Sequence, residues 1–340
     1  RRQRQMCIRD RPMIIFTTVA QMSVGAFWIL GIIQLIGRRA GVKQSAIDSL
    51  TNAGLYAAGP LLILGFFAAF FHLNDPFHAP FTLLHLGSSW LSRELISGVL
   101  YALFGLIFAL TQWFNRFSRT TRDIFAALTA LAGLCLVISM CGVYYFTGTV
   151  PAWNTWFVWV SFFCSAFFTG SLAVAIALLT TWRMKQRGAS DKNSDANSKG
   201  FKAALRRGLF PPGKLPEGLI ELTKRSMRIT TGIAASAGLI ILMSYAFFMT
   251  QLGLGSPIER QVAQNMTAHG YLLIRLLLLV ITILLVALVL RNYILDTAYP
   301  TRSLVITLWV TFLLAFVTEM IGRGLHYEGL VRAGINTLLG

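Results

Sequence analysis

Acidic residues are scarce in this chain: 13 Asp and Glu stand against 30 Lys and Arg in 340 residues. Cysteine is scarcer still, with only Cys7, Cys135, Cys141 and Cys164. No two of them stand in a C-x-x-C spacing, which excludes the usual frameworks for zinc or an iron-sulfur cluster. The five histidines avoid the middle of every apolar run. A b-type haem gripped by two mid-span imidazoles is therefore not expected. Charged residues of all kinds reach only 13%, about half the usage of soluble domains.

Hydrocarbon fills the place of charge. The chain is 55% hydrophobic and 12% aromatic. Its apolar runs are long enough to cross a bilayer core as helices, which takes about 20 residues. We count eight, at about 13–36, 50–71, 95–113, 124–146, 156–181, 229–250, 270–290 and 303–322. They do not alternate apolar with polar, as strands of a membrane barrel would. The fold class expected is all-α, a polytopic bundle of eight transmembrane helices.

The net charge of +17 would suit a nucleic-acid binder, but its distribution suits a membrane instead. Arg38, Arg39 and Lys43 follow the first run, and Arg116, Arg119 and Arg122 follow the third. Twelve basic residues lie between Arg183 and Arg228, and Arg291 and Arg302 follow the seventh run. The alternate connections are nearly bare, with Arg93 after the second run and Arg260 after the sixth. The positive-inside rule places the basic set in the cytoplasm and both termini on the periplasmic side. Residues 183–228 read as a basic cytoplasmic loop lying against anionic lipid. Trp113, Trp153, Trp156 and Trp182, near run ends, are expected in an interfacial aromatic belt. Residues 1–11, "RRQRQMCIRDR", contradict the rule with five arginines and lack an initiating Met. They are set aside as a non-native or disordered segment, leaving 12–340 as a single eight-helix domain with no cleavable signal peptide expected.

Polar chemistry collects on one side. His72, His78, His85, His269 and His326 all fall at outer run ends or outer loops, as do Asp75, Glu94, Glu259, Glu319 and Glu328. Ionisable groups at the lip of a span are expensive and usually have partners. Glu319 and Arg323 stand four apart and are expected to pair on one helical face. Arg275 lies a turn and a half into its run, too deep for a snorkelling side chain. An ion network that merely ties helices together accounts for these three equally well. His72 alone reads as a histidine capping a helix C-terminus. In company with Glu94 it fits quinol oxidation, which needs a proton acceptor for each hydroxyl. Glu94 would accept the proton, and a neutral His72 would hold the ring by a hydrogen bond.

Several stretches then carry a resemblance. "HLNDP" at 72–76 and "SSWLSREL" at 88–95 are similar to segments of the membrane anchor subunit of the dimethyl sulfoxide reductase family, a relative of polysulfide-reductase-type anchors. His72 and Glu94 fall in the matching places. "VYYFTGTVPAWNTW" at 143–156, Arg275, "TEMIGRGLHY" at 318–327 and the opening "RPMIIFTTVAQMSVGAF" resemble further parts of the family, over nearly the whole chain. Asn74 departs from the glycine usual after "HL", and His78 stands near a place often basic.

The resemblance implies menaquinol oxidation on the outer side of the bacterial inner membrane, feeding anaerobic electron transport. It implies two partners, a four-cluster iron-sulfur electron-transfer subunit and a molybdopterin catalytic subunit. Those partners would hold the clusters and molybdopterin, with none in this chain. Arg275, Glu319 and Arg323 would line the quinol or support it. Asp75, His78, His85 and Trp153, with loops 72–93, 147–155 and 251–268, are expected to dock the partner. Three rivals stay open: an anchor for a polysulfide, tetrathionate or nitrite reductase, a small-molecule transporter, and a passive anchor without a quinol site. No internal repeat favours the transporter.

Overall fold

The computed structural model describes residues 11–72, 86–114, 117–190, 218–294 and 301–331. Among these, regular structure is entirely helical. In sequence order the helices are α1 (Arg11–Arg39), α2 (Gln44–His72), α3 (Trp90–Phe114), α4 (Arg119–Tyr145) and α5 (Trp156–Ser190). They continue as α6 (Leu219–Leu254), α7 (Pro257–Ala268), α8 (Tyr271–Ile294) and α9 (Arg302–Glu328). Seven are long and apolar enough to cross a membrane: α1, α3, α4, α5, α6, α8 and α9. The remaining expected run, 50–71, lies within α2, much of whose outer half falls outside the described side chains.

Long helices joined by short connections run antiparallel, since the chain has no other choice, and α5 and α6, joined by a longer segment, do the same. Leu30 of α1 meets Gly54 of α2, and Gln34 donates to Thr51 at 2.8 Å. Between those helices Gly41 adopts φ 67°, a left-handed turn that a side chain would strain. Trp90 lies against Gly142 and Tyr101 against Gly133, so α3 and α4 are antiparallel too. Phe157 stacks on Phe248 at 4.2 Å while Phe168 meets Gly238, which sets α5 against α6.

The innermost pair is α1 and α5. Gly25 and Ala26 of α1 abut the backbone of Ala166 and Gly170 on α5, and a Cβ on either glycine would collide with the opposing main chain. Lipid tails give apolar helices no hydrophobic reason to associate, so close backbone approach at small residues supplies the packing. The outward flanks are greasy, as Leu273, Leu277, Leu284 and Leu288 on α8 show.

The structure revises three boundaries. α6 begins ten residues before the apolar run at 229, continuing a polar turn with Glu221 into the bundle. α9 runs on to Glu328, past the run's end at 322. The loop 251–268 contains α7, whose Ser256 side chain and Glu259 form a capping box with Pro257 at the first turn. Trp182 is buried, not interfacial: it packs in the core with Leu219 and Leu222. A position at a run's end does not place a side chain in lipid when the next helix starts early and covers it.

Candidate functional site

Glu94 stands one turn into α3, on the face it shares with Ser97, Gly98 and Tyr101. That face is turned into the bundle because its neighbours are small or aromatic and pack on α1 and α4. Trp90, one turn earlier, fixes the helix end. Its ring covers Gly142 and stacks on Phe146 at 5.0 Å and 5°. Arg93 goes the other way: its guanidinium lies 4.4 Å over Trp90 and donates to the carbonyls of Leu86 at 2.9 Å and Gly87 at 2.7 Å. Adjacent in sequence, Arg93 and Glu94 therefore do not neutralise each other. Glu94 is 5% exposed and has no hydrogen-bond or ion-pair partner among the described residues.

Three buried charges lie at the same end of the bundle. Arg275 of α8 donates to Glu319 of α9 at 3.3 Å and to the Tyr245 hydroxyl of α6. Its guanidinium lies 4.4 Å from the centre of the Tyr245 ring. Arg275 and Glu319 are only 3% and 2% exposed, so the pair is dry. Gly322 makes room for it, since a Cβ there would strike the guanidinium. Arg323 donates to Gln21 Oε1 of α1 and sits 3.6 Å over the Phe162 ring of α5. A desolvated cation on an aromatic face contributes about 2 kcal/mol.

The expected Glu319–Arg323 pair is thus replaced by two pairings across helices. Residues four apart share a face, but in a packed bundle that face meets other helices, and Gly322 opens a gap through which Arg275 reaches Glu319 first. Arg323 then crosses to α1.

Above Arg323 lies an aromatic cluster. The Tyr144 and Tyr327 hydroxyls are 2.7 Å apart. Tyr144 meets Trp153 edge-on at 5.1 Å and His326 at 4.6 Å. Trp153 stacks on His326 at 5.4 Å, and its indole N–H donates to the His326 carbonyl at 2.8 Å. Trp153, expected to dock a partner, is half-buried, and its polar edge is used inside, pinning the 147–155 loop to the end of α9. Buried indoles find partners for their N–H, and here the nearest was a helix-terminal carbonyl.

Of the residues expected at the site, Arg275, Glu319 and Arg323 come together, and Glu94 is buried apart from them, where α3 meets α4. His72 ends α2, and its side chain lies outside the described residues, as do Asp75, His78 and His85 entirely. Sequence reasoning missed Gln21, Tyr144, Phe162, Tyr245 and Tyr327. Gln21 had a signal, an amide near the middle of an apolar run; the aromatic residues had none in a chain this rich in them.

Comparison with known proteins adds a family. The pattern of the family described as DMSO reductase anchor subunit (DmsC) matches residues 5–189, beginning inside the N-terminal segment set aside as non-native or disordered. The C subunit of the anaerobic dimethyl sulfoxide reductase of Escherichia coli (strain K12) is 30% identical over 179 residues, 51% of this chain and 61% of its own length. The same subunit of the Haemophilus influenzae reductase is 27% identical over 170 residues, 50% of this chain and 58% of its own. The YnfH subunit of anaerobic dimethyl sulfoxide reductase from Escherichia coli (strain K12) is 26% identical over 167 residues, 49% of this chain and 57% of its own. The matched stretch spans less than two thirds of each relative. It includes Glu94 and Tyr144, whereas the expected resemblance at Arg275 and 318–327 lies beyond the family match.

Proposed function

Because this chain belongs to the DMSO reductase anchor subunit (DmsC) family, we propose that it anchors a dimethyl sulfoxide reductase-like complex and oxidises quinol for it. The bundle crosses the inner membrane eight times, with α2 as the eighth span and both termini periplasmic. Menaquinol binds near the outer lip between α2, α3, α8 and α9. Its electrons pass to a four-cluster iron-sulfur subunit docked on the periplasmic face, and from there to a molybdopterin subunit. The names of the three relatives support the complex, and the alternation of basic loops supports the orientation.

One observation carries the quinol reading: Glu94 is a buried carboxylate with no partner among the described residues. Burying an ionisable group unpaired is costly, and bundles retain such groups where they act. The neighbouring arginines are already committed, Arg275 to Glu319 and Arg323 to Gln21. Glu94 is thus left to receive a proton from a quinol hydroxyl. His72, closing α2, holds the second oxygen by a hydrogen bond. Arg275, Glu319 and Arg323 form the rigid floor beneath the ring. Both protons and both electrons leave on the outer side, so this half-reaction moves no net charge across the bilayer.

Replacing Glu94 by Gln keeps the shape and removes the base. In the intact complex, quinol oxidation by Glu94→Gln is expected to fall roughly 10²-fold or more, with the complex still assembled. Unchanged oxidation would instead make this a passive anchor.

A further inference from the structure

A quinol site walled by aromatic rings has little water to carry protons away, and a carboxylate that has accepted one is spent until it leaves. Among the described residues a path leads out. Tyr144, 3% exposed, lies with Glu94 where α3 meets α4: Trp90, four residues before Glu94, covers Gly142, two residues before Tyr144. Its hydroxyl lies 2.7 Å from that of Tyr327, and either oxygen can donate to the other. Tyr327 is half-buried on the last turn of α9, next to exposed Glu328 and the helix-capping Gly329. The two hydroxyls thus span the step from the core of the bundle to its lip.

We infer that Tyr144 and Tyr327 form a two-hydroxyl proton wire, carrying to the periplasmic surface the proton that Glu94 takes from quinol. The inference rests on the quinol reading above. Glu94 and Tyr144 share no hydrogen bond at rest, so the protonated Glu94 side chain first turns to the Tyr144 hydroxyl. Its proton then passes to the Tyr144 oxygen, the Tyr144 proton passes to Tyr327, and the Tyr327 proton passes to water at the lip. One proton enters and one leaves, no electron moves, and both hydroxyls end neutral and turned the other way. They reset by rotating about their C–O bonds.

Two features suit the pair to this task. Trp153, Phe162 and His326 crowd the Tyr144 ring at 5.1, 5.6 and 4.6 Å, holding its oxygen in place and excluding water that would short-circuit the wire. Arg323 stands four residues before Tyr327 on α9, one helical turn deeper, with its guanidinium on Phe162. A fixed buried cation repels an excess proton, as arginines do in pores that exclude protons. The way inward is blocked, and Tyr327, one turn nearer the helix end, is the less buried of the two tyrosines.

The test uses the complete complex in native membranes, a tail-less naphthoquinol as donor, and the variants Tyr144→Phe and Tyr327→Phe. Each is expected to lower the maximal rate on the order of 10²-fold with KM unchanged. Added imidazole, a mobile proton carrier, restores much of that rate, and the solvent deuterium isotope effect grows. Wild-type rates in both variants, a raised KM at unchanged maximal rate, or a lost rate that imidazole does not restore would overturn the wire; the last would make the pair a helix clasp. Glu94→Gln measured alongside separates the two proposals. Full oxidation in Glu94→Gln sinks the quinol reading itself. An inactive Glu94→Gln beside fully active tyrosine variants sinks the wire alone.

Discussion

The bundle has polar networks at both ends, and they are built differently. At the end near the α1–α2 turn, Arg38 pairs with Asp123 across α1 and α4, with side chains 27% and 39% exposed. Arg122 reaches Asp48 at 3.7 Å and Gln112 at 3.3 Å. At the other end, Arg275, Glu319 and Arg323 are sealed behind aromatic rings. Water shares the charges of the first network and so weakens every pair in it. The second network has no such relief, and each charge there depends on a few fixed partners. The contrast separates charges shared with water from charges sealed inside the bundle.

The largest expected effect comes from breaking the buried pair on one side. Arg275→Met or Glu319→Leu leaves a lone charge and should cost on the order of 3–5 kcal/mol, read as a lower unfolding midpoint of the purified complex. The double variant should recover most of the loss, since apolar groups of similar volume replace a buried pair at little cost. A double variant as unstable as the singles would show that the pair does more than compensate itself.

Gly322→Ala comes next. The added methyl meets the Arg275 guanidinium and must push α8 and α9 apart, costing about 1–3 kcal/mol as overpacking does. Gly324→Ala, where nothing lies within 4 Å among the described residues, is the matched control and should be nearly neutral. Trp153→Phe keeps the ring on His326 but removes the indole N–H from its carbonyl. About 1 kcal/mol is expected, together with faster proteolysis in the 147–155 loop. The smallest effect belongs to the exposed network. Asp123→Asn should change stability by less than about 1 kcal/mol and lose even that at high salt. A larger loss there would erase the distinction between the two ends.

Much of this architecture was legible in the residues. The apolar runs announced long helices because a bilayer demands unbroken ones. The capping box of α7 is present as Ser256-Pro257-Ile258-Glu259, but the segment it opens is polar and short and carries no apolar run. Glu94 stood out because a carboxylate beside an apolar run has few ordinary reasons to be there. Arg275 stood out for its depth in another.

Which groups meet was a different matter. Spacing along α9 favoured Glu319 with Arg323, while packing chose Arg275 for the one and Gln21 for the other. Likewise, nothing in "VYYF" distinguishes Tyr144, whose hydroxyl reaches Tyr327, from Tyr145, which packs on Trp159. By itself the sequence determined that the chain is a helical membrane bundle and which few polar residues its spans contain. Those follow from hydrophobic length and from the cost of charge in hydrocarbon, properties each segment carries alone. The tertiary structure alone decided the pairings, the dryness around Arg275 and Arg323, and the isolation of Glu94 among the described residues. They depend on how helices distant in sequence are turned toward one another, and glycines such as Gly142 and Gly322 set how closely those helices approach.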